Sequence, residues 1–283
     1  MNSIVATAAM ARPAADPPAS SLGLRLTSAL ILLPVGLLVV YAGGLSFAAL
    51  VGLAGMLMVM EWDRLSGGTG AGPLGLGGMA TLLAMAAAGH FLGPSWGFVA
   101  ILIGAAALWP LARAEGRSAG WALLGLIWLG LPCLVLLWLR SGENGLIVVL
   151  WLLATVFMCD TGAYFAGRAI GGPKLAPRFS PKKTWAGLIG GMVSAALVGV
   201  AVAVGVGDGS IVPPMLIGAA LAVISQIGDL AESAVKRRFG AKDSGDLIPG
   251  HGGVMDRFDA VLFAVPAVGL LMILNDGGAM SWL

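Results

Sequence analysis

Charge is what this sequence has least of. Only 11% of its 283 residues are Asp, Glu, Lys or Arg, less than half of the roughly 25% usual in a soluble globular chain. With 58% of the residues apolar, a soluble enzyme, a secreted domain and a disordered chain are all excluded. Cysteine is nearly absent as well. Cys133 and Cys159 both lie inside apolar runs, which leaves neither a disulfide framework nor a thiolate metal site. The two histidines, His90 and His251, are too far apart in sequence to suggest a zinc site.

What the chain has instead is long uncharged stretches. A helix of about 20 apolar residues crosses a bilayer core of roughly 30 Å with every backbone group satisfied internally. Such stretches fall at about 25–42, 44–60, 75–92, 96–112, 120–139, 145–165, 185–206, 211–228 and 257–275. The expected fold is therefore all-α, a polytopic integral membrane protein of about nine transmembrane helices. The 44 glycines suit helices that pack closely in lipid. Residues 1–22, rich in Ala, Pro and Ser with a solitary Arg12, read as a flexible tail and not as a signal peptide. Residues 23–142 form an N-terminal helical region. Residues 143–283 form the region where chemistry is expected, with loops at 160–185 and 229–257.

Lysine and arginine set the orientation, because they accumulate on the cytoplasmic side. With nine spans and the N-terminus inside, 15 of the 16 basic residues fall inside and only Arg140 falls outside. The expected topology is N-terminus cytoplasmic and C-terminus outside. Residues 160–259 hold 10 of the 16 basic and 8 of the 14 acidic residues, concentrated in the two cytoplasmic loops.

In the first loop, Asp160, Tyr164 and Arg168 are spaced four apart, so a continuing helix lines them along one stripe. Tyr164 and Arg168 would equally serve as an interfacial belt. Asp160 is costly at the end of an apolar run unless it has a partner or a role. Ser180, Lys182, Lys183 and Thr184 come just before a helix, where free N–H groups add to the side chains in attracting a phosphate. Attraction to anionic lipid is the other reading of these lysines.

In the second loop, Ser225, Asp229 and Glu232 share a helix face, and Glu232 and Lys236 are spaced for an ion pair. After Lys236-Arg237-Arg238 the chain turns through glycines to His251-Gly252-Gly253 and then Asp256-Arg257-Phe258-Asp259. Asp229 and Asp256 lie at neighbouring helix ends, and Mg²⁺ is typically held by one or two carboxylates with phosphate oxygens and water. These two are the candidate metal ligands. His251, between glycines, suits a phosphate or nucleotide contact better than a metal. Glu61, Trp62, Asp63 and Arg64 read as interfacial.

Taken whole, Ser233 to Asp259, SAVKRRFGAKDSGDLIPGHGGVMDRFD, resembles the signature of phosphatidate cytidylyltransferases, also called CDP-diacylglycerol synthases. That signature has a Ser, Lys-Arg, four residues, Lys-Asp, then His-Gly-Gly, Asp-Arg and Asp, and every position is filled. QIGDLAES, DTGAYFAGR and SPKKTWAG are also similar to the family's segments, although Ala186 stands where the family usually has glutamate. The resemblance covers roughly 160–260. It implies an enzyme, dimeric in many members, that joins CTP to phosphatidic acid and releases pyrophosphate.

By the same resemblance Mg²⁺ would be the cofactor, held by Asp229 and Asp256, with a second cation such as K⁺. Lys236 and Arg237 would act with those carboxylates in catalysis. The substrates would meet Asp160, Arg168, Ser180, Lys182, Lys183, Thr184, Ser233, Lys242, Asp243, His251, Gly252, Gly253, Arg257 and Asp259. The implied setting is a bacterial inner membrane, with the site on its cytoplasmic face, a homodimer and no nucleic-acid partner. Other readings are a CTP-dependent kinase or cytidylyltransferase for another lipid, and an ion-coupled transporter using Asp160 and Asp229. Against a transporter, the charges cluster at one membrane face and no inverted repeat is visible.

Overall fold

A computed structural model describes residues 20–206, 210–248 and 252–275. The tail at 1–19, the C-terminal residues 276–283 and His251 lie outside the described residues. Nine helices run through the rest: α1 Ser20–Ala42, α2 Gly44–Leu65, α3 Pro73–Phe91, α4 Pro94–Ala114, α5 Ala119–Ser141, α6 Gly145–Ala169, α7 Trp185–Val206, α8 Val212–Arg238 and α9 Met255–Leu274. The uncharged stretches become these helices. By length and composition α2 to α9 are long and apolar enough to cross a membrane, while the apolar part of α1, Leu30–Ala42, is shorter.

The fold is all-α in class, as expected, with one short addition: β1 (Lys174–Ala176) and β2 (Ser180–Thr184) form an antiparallel hairpin between α6 and α7. Two expectations are corrected. Helices α6 and α8 do not stop near 165 and 228 but run on to Ala169 and Arg238, so the charged segments begin as helix and become loop later. The supposed tail is already helical from Ser20.

Helices α2 to α5 pack as one group and α6 to α9 as another, and α5 joins them by packing on α9. The core follows that seam, with Leu82, Leu129, Val148, Leu152, Val265 and Val268 fully buried. Outward-facing Ile103, Leu197, Val204 and Leu270 are exposed, the arrangement expected when lipid is as apolar as the interior. Polar side chains fasten the turns. Arg140 donates to the carbonyls of Val40 and Tyr41 at 2.7 and 2.9 Å, capping the end of α1. Arg117 pairs with buried Asp63 and also donates to the Ser66 hydroxyl at 2.9 Å, which ties the α2–α3 turn to the α4–α5 turn.

Helix α8 crosses α9 closely at Gly228. A Cβ there would lie 2.8 Å from the Asp259 carbonyl and 2.9 Å from Phe263 Cβ. A glycine at this point lets Asp229 approach the start of α9.

Candidate active site

Helix α8 carries the framework of the site. Gln226, Asp229, Ser233 and Lys236 recur at three- or four-residue steps on one face. Three other elements bring charged groups to them: the end of α6, strand β2 and the start of α9.

The first cluster joins α6, β2 and α8. Lys183 on β2 reaches Asp229 at 2.5 Å and donates to the Gln226 amide oxygen at 2.8 Å. The Gln226 amide nitrogen donates to Asp160 at 3.1 Å, and the Ser233 hydroxyl donates to Asp229 at 3.4 Å. Asp259, from α9, lies near enough to Asp160 and Asp229 for their charges to act on it. Lys183 therefore pairs directly with Asp229 and is linked to Asp160 through Gln226.

The second cluster lies two turns further along α8. Buried Lys236 bonds Glu232 at 2.9 Å and Asp256 at 2.6 Å. Asp256 also accepts the backbone N–H of Ser244 and of Gly253, each at 2.9 Å, so it closes the loop after α8 onto the first turn of α9. The Oε2 of buried Glu232 has no partner among the described residues.

The sequence-predicted residues separate accordingly. Asp160, Lys183, Asp229 and Ser233 meet in the first cluster, and Lys236 and Asp256 in the second. Thr184 is buried, and its hydroxyl accepts the Gly187 N–H at 3.1 Å, capping the start of α7. Ser180 pairs with Ala176 in the hairpin. Arg168 donates to the Tyr164 hydroxyl at 2.8 Å, and Arg237 to the Ala241 carbonyl at 3.1 Å, both on the exposed surface. Lys182, Lys242, Asp243 and Arg257 are exposed, while Gly252 sits in a left-handed turn with φ 87°.

Two residues were missed. Gln226, read only as a polar neighbour, bridges the Lys183 and Asp160 side chains. Glu61, read as interfacial, is completely buried. It accepts the N–H groups of Val254 and Met255 at 2.8 Å and the Ser244 hydroxyl at 3.1 Å. The signal was available, since Glu61 stands flush with an apolar run, where a carboxylate needs a partner.

Paired carboxylates and lysines at the polar ends of apolar helices can neutralise phosphate charge and hold a cation while a substrate stays in the bilayer. The class so defined is a polytopic membrane protein with carboxylate–lysine clusters at the ends of its apolar helices. Comparison with known proteins narrows it: the cytidylyltransferase family matches residues 23–274, and the chain belongs to that family. The phosphatidate cytidylyltransferase of Brucella suis is 42% identical over 253 residues, 87% of this chain and 91% of that protein. The protein of the same name from Staphylococcus saprophyticus is 39% identical over 163 residues, 57% and 62% of the two chains. That from Haemophilus influenzae is 45% identical over 128 residues, 44% of each.

Proposed function

We propose that the chain transfers the cytidylyl group of CTP to phosphatidic acid, giving CDP-diacylglycerol and pyrophosphate. The observation that carries this reading is the 42% identity to a phosphatidate cytidylyltransferase along 87% of the chain. The reaction joins two anions, so the protein's task is to neutralise charge and align the attack of the lipid phosphate on the α-phosphorus. No general base is required, because a phosphate monoester with a second pKa of about 6 is largely dianionic near neutral pH. The lysine-bridged carboxylates suit that task.

Mg²⁺ is the cofactor in this reading, with Asp229 and Asp256 as its ligands. Each of these carboxylates is already neutralised by an ammonium group, Lys183 on one and Lys236 on the other, so each is placed to face a positive charge. Mg²⁺ typically takes one or two carboxylates and completes its shell with phosphate oxygens and water. The ion would supply charge neutralisation across the phosphates. The chain's own part is to present Lys183 and Lys236 beside the same phosphates and the exposed Lys182, Lys242 and Arg257 around them. A second cation such as K⁺ and a homodimer belong to the same reading.

The site lies on the cytoplasmic face of a bacterial inner membrane, with the N-terminus inside and nine spans. The support is the distribution of basic residues, 15 of 16 falling on one side. The phosphatidic acid keeps its acyl chains in the bilayer while CTP arrives from water. Purified protein should release pyrophosphate only when CTP, phosphatidic acid and Mg²⁺ are all present, with CDP-diacylglycerol as the lipid product. Turnover without phosphatidic acid, or a phosphorylated lipid and CDP instead, would replace this reading with a hydrolase or a kinase. A reporter fused after Leu283 that proves cytoplasmic would overturn the topology.

A further inference from the structure

The hydrogen bonds of Glu61 go to Ser244, Val254 and Met255, none of them assigned to the substrates, yet they hold the segment that carries the assigned groups. Its Oε1 accepts the Val254 N–H and its Oε2 the Met255 N–H, from 193 and 194 residues away in sequence. Val254 and Met255 are the N-cap and first residue of α9. The first N–H groups of a helix have no partner within it. Here a carboxylate from α2 supplies one, and its charge favours the positive end of the helix dipole.

The same oxygen that takes Met255 also takes the Ser244 hydroxyl. The space is made by glycine: a Cβ on Gly253 would lie 2.7 and 2.8 Å from the two Glu61 oxygens, and one on Gly245 2.9 Å from Oε1. Asp256 binds the N–H of Ser244 and of Gly253 from the other side. Two carboxylates therefore grip one short segment, Asp256 from within α9 and Glu61 from the neighbouring half of the molecule. Met255, between them, is completely buried.

We propose that Glu61 is a positioning residue for the reaction. It fixes the depth and rotation of the α9 N-terminus, so that Asp256 meets Lys236 and Asp259 comes within range of Asp229. It acts only through the groups α9 carries. The inference rests on the functional reading for what those groups do, but not for the grip itself.

Glu61→Gln keeps the size of the side chain but turns an amide NH₂ toward a donor. Glu61→Asp keeps the charge and withdraws it by one methylene. In full-length protein in lipid nanodiscs, each should lower kcat by about 10- to 100-fold, the scale of a misplaced reacting group. The KM for CTP and for phosphatidic acid should stay within about threefold, since ground-state binding is not what is lost. Hydrogen exchange should quicken in residues 244–256 and stay slow in α3 to α5. Unchanged kcat, or activity lost only in proportion to the folded fraction, would overturn the proposal. If the Glu61 variants fail to fold, Ser244→Ala removes one of the three donors; faster exchange at 244–256 with reduced kcat supports the grip, and wild-type values for both overturn it. If the wild-type protein transfers no cytidylyl group, the functional reading fails. Exchange then still decides the grip, and 244–256 exchanging in Glu61→Gln as in the wild type would overturn it.

Discussion

Two carboxylate–cation pairs at helix ends are built from similar parts and differ in what surrounds them. Asp63 pairs with Arg117, but its other oxygen accepts the Gly70 N–H at 2.8 Å, and Arg117 also donates to the Asp63 carbonyl and the Ser66 hydroxyl. Every bond closes the same two turns, and the Asp63 side chain is 5% exposed. Asp229 pairs with Lys183 across separate elements. Its side chain is 27% exposed, and beyond Lys183 it accepts, among the described residues, a long hydrogen bond from Ser233. The first pair is held by several bonds at once and serves as a fastening, although the buried Arg117 Nε has no partner among the described residues. The second is more open, which the proposed exchange of its ammonium partner for a metal ion would require. Burial and the number of competing donors distinguish these two pairs; residue type does not.

The contrast can be broken most forcefully at the fastening. Asp63→Ala leaves a part-buried guanidinium with only the more distant Glu115 at 3.7 Å and should cost about 3 kcal/mol of stability, seen as a lower unfolding midpoint in bicelles, with near-normal turnover per folded molecule. Asp229→Asn should do the reverse. Turnover should fall by about 10²- to 10³-fold, as when a preorganised electrostatic group is removed, while the unfolding midpoint stays close to wild type. Equal effects on stability from both variants would erase the distinction.

Lys183→Ala should be milder, weakening phosphate binding by about 1.5–3 kcal/mol for one charge-assisted hydrogen bond. It should read out as a raised KM for CTP at constant folded fraction. The smallest effect belongs to Arg140, whose removal from the end of α1 should cost about 0.3–1 kcal/mol and leave kinetics untouched. A measurable fall in kcat there would mean that the turn between α1 and α2 communicates with the site.

Much of this was legible because it is local. Long uncharged runs mark α2 to α9, and four-residue spacing correctly paired Glu232 with Lys236 and Tyr164 with Arg168. Periodicity carries no information about partners far away in sequence. The grip of Glu61 on α9 spans 193 residues, and the joining of Lys183 to Gln226 needs β2 folded against α8. The hairpin was hidden for a different reason. Three prolines and several basic residues in 173–183 read as a loop, and a three-residue strand such as β1 offers no alternation to detect. Helices α6 and α8 overran their expected ends because charged residues, which stop an apolar run, do not stop a helix.

That Gln226, Asp229, Ser233 and Lys236 all hang from α8 has an evolutionary consequence. Each extra residue in an α-helix turns everything beyond it by about 100°. A single insertion upstream of Gln226 would leave these four side chains correctly spaced among themselves while swinging the whole set away from α6, β2 and α9. Point changes along α8 can be sampled one at a time, but changes in its length cannot, so lineages descended from such an ancestor should vary in the loops at either end and keep the count of residues between Gln226 and Lys236 constant.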